Sequence, residues 1–406
     1  MLAMGLLISN GSAISGTHTI NDSASNYDLK YLIAHAAAYD SIILDNVQIN
    51  QSQILIDKPL TILGLHGSEI AGLNSGSVIM VRSTDVHIGG IKVTGVEQSF
   101  TRDNAAIMVE KSQRCSFEDI AIINGFFGIY FSNSSNCRVS KCQVNSNANS
   151  EAHSGNGIHL WHCRDMTIEY NEISGHRDGI YLEFVKSSIV RNNHSQYNLR
   201  YGLHFMFSDS CQYSDNNFIR NGAGVAVMYS KSVNMKSNNF ERNIGPASYG
   251  LLLKDISHSN IEANRFFQNT IGIYAEGSSD LIVKANNFAE NGWAIKLMAN
   301  CIDDKFEDNN FINNAFQIAT NSRQTSGSFD GNYWSVYKGY DIDKDGVGDV
   351  PFRPVNISTI IVEKFPISLT LLRSLFIEML DVAERVFPTL TPGNLADNRP
   401  HMSEIK

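Results

Sequence analysis

The sequence predicts an all-β fold, a right-handed parallel β-helix whose coils are about 22 residues long, and three observations carry the prediction. A phrase opening on glycine returns as Gly128-Ile129-Tyr130, Gly157-Ile158-His159, Gly179-Ile180-Tyr181, Gly202-Leu203-His204, Gly224-Val225-Ala226, Gly250-Leu251-Leu252 and Gly272-Ile273-Tyr274, at steps of 29, 22, 23, 22, 26 and 22 residues. An asparagine column runs in register behind it: Asn171, Asn192, Asn216, Asn238, Asn264, Asn286 and Asn309, most followed two residues later by Phe. Within each phrase the first and third residues after Gly are apolar at every coil, from Ile129 and Phe131 to Ile273 and Ala275, whereas the second and fourth are mixed. Alternation of period two marks a strand with one buried face. Helical repeats would need longer runs with apolar residues three and four apart.

Strands that recur with the same face inward stack in parallel, coil upon coil. About 14 coils between residues 40 and 335 give a rod of roughly 65 Å at ~4.8 Å per coil. The asparagines are expected to form an amide ladder at a sharp turn, using their tolerance of the αL conformation, with the following Phe filling the core. The right hand follows from the chirality of parallel crossovers.

In chain order, residues 1–27 read as the remnant of a secretory signal and an N-terminal arm: Met1 to Ala13 is a short apolar run without basic residues ahead of it. Residues 28–335 are the β-helix, opened by a capping helix in which Leu29, Leu32, Ile33 and Ala36 share one face and Asp28 caps the N-terminus. Residues 336–366 form a second cap with an acidic loop, after Asn332-Tyr333-Trp334 and Tyr337. Residues 367–388 hold an amphipathic helix bounded by Pro366 and Pro388, with apolar residues three and four apart from Leu371 to Val386. It packs on the end of the rod or docks on a membrane partner. Residues 389–406 read as a disordered tail.

Composition narrows the function. The 406 residues carry 32 basic and 41 acidic side chains, net −9, with no basic stripe, so a nucleic-acid partner is not expected. Six cysteines (Cys115, Cys137, Cys142, Cys163, Cys211, Cys301) lack a CxxC pair; Cys115 and Cys137 lie one coil apart, as buried thiols or as a bonded pair.

Two groups of residues could carry chemistry. Asp341, Asp343, Asp345 and Asp349, with Gly346 among them, resemble the first half of a calcium loop; the twelfth position is Phe352, so the loop is not an EF-hand, and it either holds calcium or is a solvated acidic turn. On the outward columns, Glu183, Met206 and Met228 fall on successive coils, flanked by His159 and His204 with Tyr181 between them. Thioether and imidazole are donors that copper prefers, so this strip is a candidate for transient copper, against a protein-binding patch or ordinary scatter. The rivals are an enzyme acting on an acidic polysaccharide as a lyase or hydrolase, and a metal-free scaffold that couples a transporter to its client. Hydrolysis needs two carboxyls ~5–9.5 Å apart, and Glu183 has no acidic neighbour on the adjacent coils.

Three phrases, residues 175–184 (Gly-His-Arg-Asp-Gly-Ile-Tyr-Leu-Glu-Phe), 200–208 (Arg-Tyr-Gly-Leu-His-Phe-Met-Phe-Ser) and 249–256 (Tyr-Gly-Leu-Leu-Leu-Lys-Asp-Ile), together with Met228-Tyr229-Ser230, resemble those of the NosD family. The resemblance spans roughly residues 28 to 388. It implies a periplasmic, non-enzymatic component that works with an ABC-type ATPase (NosF-like) and a membrane permease (NosY-like), takes copper from a NosL-like chaperone and helps deliver it to nitrous oxide reductase. It implies copper at Glu183, His204, Met206 and Met228, and permease docking by the C-terminal helix through Leu371, Leu372, Leu375, Phe376, Met379 and Val386.

Overall fold

The computed structural model describes residues 16–21, 28–99, 101–151, 154–298, 300–321, 326–365, 367–368 and 395–406. Their strands form three parallel sheets of 14, 12 and 13 strands, and each strand pairs with its equivalents on the coils above and below. The Gly phrases supply the 12-stranded sheet and the Asn phrases the 13-stranded one. This is the parallel β-helix that the repeat predicts. Among the described residues no helix is long and apolar enough to cross a membrane.

The inward columns form one continuous core. Ile129, Ile158, Ile180, Leu203, Val225, Leu251 and Ile273 are buried, as are the residues two places further on. The Phe column stacks face to face: Phe240–Phe266 at 4.6 Å, Phe266–Phe288 at 4.7 Å, Phe288–Phe311 at 5.0 Å, closed by Trp334 on Phe311 at 4.0 Å. Glycine opens each phrase because of close approach. A Cβ on Gly224 would lie 2.4 Å from the carbonyl oxygen of Gly250 and 3.2 Å from the ring of Phe240.

The asparagine ladder exists with one change of register. Asn193, not Asn192, takes its place in the column, running through Asn171, Asn193, Asn216, Asn238, Asn264, Asn286, Asn309 and Asn332. Asn192 occupies the αL position before it (φ 55°), as Asp215 does one coil on (φ 56°), so the left-handed residue precedes the ladder amide. From Asn193 on, each Oδ1 accepts twice: Asn216 donates to Asn238 Oδ1 from its backbone N–H at 3.1 Å and from Nδ2 at 3.0 Å, while Nδ2 also reaches the carbonyl of Val190 at 2.9 Å. A second ladder, five residues further along each coil, runs through Asn198, Asn221, Asn243, Asn269, Asn291 and Asn314.

Both ends differ from expectation. Thr17–Asn21, read as part of an arm, is a strand that pairs with Ser41–Asp45 and extends the 14-stranded sheet, as its alternating β-branched residues favour. Helix α1 (Leu29–His35) follows, with Asp28 accepting from the N–H groups of Lys30 and Tyr31. At the far end a short helix α2 (Ile357–Lys364), unread because its Ile-Ser-Thr-Ile-Ile-Val run looks like a strand, is tied to the outer face of the 12-stranded sheet by Lys296–Glu363 at 2.6 Å. The predicted amphipathic helix, with Leu371, Leu372, Leu375, Phe376, Met379 and Val386, lies outside the described residues.

Residues 395–406 correct the expectation of a disordered tail. They return as a strap over the rod's end, where Leu395 and Asp397 are buried. Asp397 closes the first ladder: its Oδ2 accepts from the backbone N–H and Nδ2 of Asn332, each at 3.0 Å, and from Trp334 Nε1 at 3.0 Å. Backbone bonds with Phe352 and the Arg399–Asp330 pair hold the strap. A carboxylate at the last rung is a stronger acceptor than another amide, which explains why a chain without further apolar periodicity folds back here.

Asp397→Ala would remove the acceptor of four buried hydrogen bonds, from the N–H groups of Gly331 and Asn332, Asn332 Nδ2 and Trp334 Nε1, at about 1–3 kcal/mol for each donor left unpaired. The expected result is a fall in denaturation midpoint that exceeds the effect of Glu404→Ala on the same strap. Equal effects contradict the role of Asp397 as the ladder's terminator.

Candidate metal-binding face

The outer face of the 12-stranded sheet carries the fourth-position column of the Gly phrases in strict register. Trp161 pairs with Glu183, Glu183 with Met206, Met206 with Met228 and Met228 with Lys254. The predicted neighbours therefore share one flank, each half-buried. Met206 and Met228 are one strand spacing apart, about 4.8 Å, and two flexible thioethers at that separation can close on one soft cation. Glu183 is the carboxylate above them.

An unread feature borders this column. The next residue on each coil, His162, Phe184, Phe207 and Tyr229, sits in the αL conformation at φ 50°, 54°, 50° and 52°. Their rings stack in a ladder at 4.6, 5.2 and 5.1 Å. Phe184, Phe207 and Tyr229 remain 40–44% exposed. A left-handed conformation costs ~1–2 kcal/mol at a residue with a Cβ, and other coils place Asn133, Asp255 or Gly277 there. The signal was present in the sequence as four bulky rings at the fifth position after Gly.

His159 and His204 do not join the methionines. They belong to the second-position column, which faces away from the core yet is covered: Tyr130, His159, Tyr181, His204 and Ala226 are all buried. The ring of Tyr181 separates the two imidazoles, with centroids 4.8 Å from His159 and 4.7 Å from His204, so they cannot share an ion. His204 lies against Tyr201 and brings Nδ1 to 3.6 Å from Asp178 Oδ2, toward the start of the strand and away from Met206. The expectation that both histidines flank exposed copper is thus corrected. Outward orientation is not exposure where neighbouring rings close over a column.

Asp178 anchors this covered patch. Its sequence neighbour Arg177 stays at 3.9 Å, whereas Arg200 from the next coil makes paired bonds of 2.8 and 2.5 Å. Burial opposes ionisation of Asp178, but the paired bonds from Arg200, with His204 nearby, prevail and hold its carboxyl at about 2. Burial, with Arg177 nearby, lowers His159 to about 3, and burial lowers His176 to about 4. These imidazoles are neutral.

In the acidic loop, oxygens of Asp341, Asp343 and Asp345 lie within 4.8 Å of one another, a set that could hold a hard divalent cation such as calcium. Asp349 instead accepts from the N–H of Ile342 at 2.7 Å. The six cysteines are free and buried; Cys115 N–H donates to Cys137 Sγ at 3.4 Å, so the two are stacked neighbours.

Comparison with known proteins finds sequence similarity to one family. Residues 145–342 match the NosD family, described as "Periplasmic copper-binding protein (NosD)". A "Probable ABC transporter binding protein NosD" of Pseudomonas aeruginosa is 29% identical over 372 residues, 86% of this chain and 85% of the relative. The protein of the same description from Stutzerimonas stutzeri is 25% identical, covering 87% of this chain and 84% of its own length. Among solved structures, a family 28 exopolygalacturonase of Yersinia enterocolitica superposes with a TM-score of 0.61 at 9% identity, covering 79% of each chain, a likeness of fold alone. The resemblance to NosD read from the repeat phrases holds along most of the chain.

The neutral buried imidazoles set a pH dependence. Folded His159 titrates at about 3 against 6.5 for the free group, so the unfolded chain binds more protons between those values. Its contribution to stability is lost as pH falls from 6.5 toward 3. Asp304 acts oppositely: burial raises it from 3.8 to about 7, so its contribution is lost as pH rises through that window. Comparing variants separates the two. His159→Phe is expected to show a smaller loss of urea midpoint between pH 7 and pH 5 than the parent protein; an unchanged loss contradicts a neutral, buried His159.

Proposed function

We propose, from the likeness to NosD proteins over 86% of the chain, that this protein is a periplasmic, non-enzymatic copper-delivery component for maturation of nitrous oxide reductase. It works beside an ABC transporter made of a NosY-like permease and a NosF-like ATPase, and receives copper from a NosL-like chaperone. The observation that supports this reading is the register of Met206 with Met228 on one half-buried flank, beneath Glu183. Copper here is cargo. Two neutral thioethers hold a soft monovalent ion, and their exposure leaves it open to exchange with an incoming donor or acceptor. Glu183 supplies attraction, and the stacked rings beside the methionines restrict water on one side.

The enzyme reading draws less support. Glu183 stands between Trp161 and Met206 in register, so no second carboxyl flanks it for acid–base work. Delivery needs partners, and the inner-membrane association belongs to this proposal with them.

Exchange of both Met206 and Met228 for Leu keeps the side-chain volume and removes both sulfur donors. Copper(I) affinity at this site is expected to fall by more than the ~10–100-fold that loss of a supporting residue costs a metal site. Unchanged affinity contradicts the proposal, as would turnover of an acidic polysaccharide that disappears with Glu183→Gln.

A further inference from the structure

A second thioether pair lies on the same sheet, outside the Gly phrases. Met80 and Met108 are register partners on adjacent coils, in the second-position column that continues into Tyr130 and His159. Both are half-buried. From Tyr130 onward that column is closed over by packed rings; at Met80 and Met108 it opens into a hollow of about 310 Å³, whose lining includes Tyr130, Trp161, Asp103 and Glu110.

The donors select the occupant. Two neutral sulfur atoms about 4.8 Å apart suit a soft monovalent cation, and aromatic faces such as those of Trp161 and Tyr130 add attraction for it. A hard divalent cation needs an oxygen cage, and of the two carboxylates here Glu110 is already engaged by Arg82 at 2.6 Å. A purely apolar partner would gain little from a hollow rimmed by Arg102, Asp103 and Glu110.

We propose that Met80 and Met108 form a second seat for copper(I), an inference that rests on the copper reading of Met206 and Met228. The coils of Met108 and Met206 are four steps apart in the register, about 19 Å, so the two pairs cannot share one ion. They are joined along the fourth-position column, which runs from Glu110 through Ser132, Trp161 and Glu183 to Met206. Trp161 thus lines the first seat and stands one coil from Glu183 at the second. The protein carries two ions on one flank.

The test is anaerobic titration of the full chain with copper(I) alone, against a chromophoric copper(I) chelator. The parent protein is expected to take two equivalents in competition with the chelator, Met80→Leu with Met108→Leu one, Met206→Leu with Met228→Leu one, and the fourfold variant none. One equivalent in the parent, abolished by the Met206 and Met228 exchanges alone, overturns the second seat and leaves the proposed function standing. Two equivalents that survive the Met80 and Met108 exchanges also overturn it. No copper in the parent overturns both readings. Circular dichroism on each variant separates a lost site from a lost fold.

Discussion

Buried amides that must be satisfied hold this molecule in register. The ladder asparagines are sealed from water, and past the first rung each Oδ1 accepts both donors of the asparagine one coil before, as Asn238 does for Asn216. A slip by one residue would leave those groups unpaired in the core, at about 1–3 kcal/mol for each. Two such ladders, five residues apart, bracket the Phe stack, and Asp397 ends one of them with a charged acceptor. Hydrophobic burial acts in the same direction, because a slip by one residue would turn each strand's apolar column to the outer face.

Register converts sequence spacing into surface chemistry. Residues one coil apart become neighbours, 22 apart in sequence for Met206 and Met228 and 28 for Met80 and Met108, which sets single methionines side by side. The same constraint makes the aromatic ladder of His162, Phe184, Phe207 and Tyr229 persist despite its left-handed backbone: stacking and the strands on either side hold each turn in place. The same backbone conformation recurs at other turns of the rod, as at Tyr170, Tyr197 and Arg220, so it belongs to the coil's geometry.

Much of this is legible in the sequence. The Gly, Phe and Asn columns specify the sheets, and alternation specifies which side faces in. The second asparagine ladder was equally readable, five residues past the first. The confusion of Asn192 with Asn193 arose because both are asparagine and only backbone conformation decides which points inward. The burial of His159 and His204 was not legible, since it depends on Tyr130, Tyr181, Tyr201 and Arg200 closing over a face that periodicity marks as outer. Met80 and Met108 are not marked by the repeat, because Ala106 stands where later coils have glycine, so their coils do not carry the phrase. The strap at residues 395–406 has no repeat at all; a buried carboxylate and a few backbone bonds place it.

The proposed copper chemistry lies with sulfur on adjacent coils, with the buried imidazoles in a structural part. Anomalous diffraction at the copper edge, from crystals loaded anaerobically with copper(I), locates the metal directly. The account predicts density between the side chains of Met206 and Met228. Density on His159, on His204 or in the Asp341 loop, with none at the methionines, would contradict it.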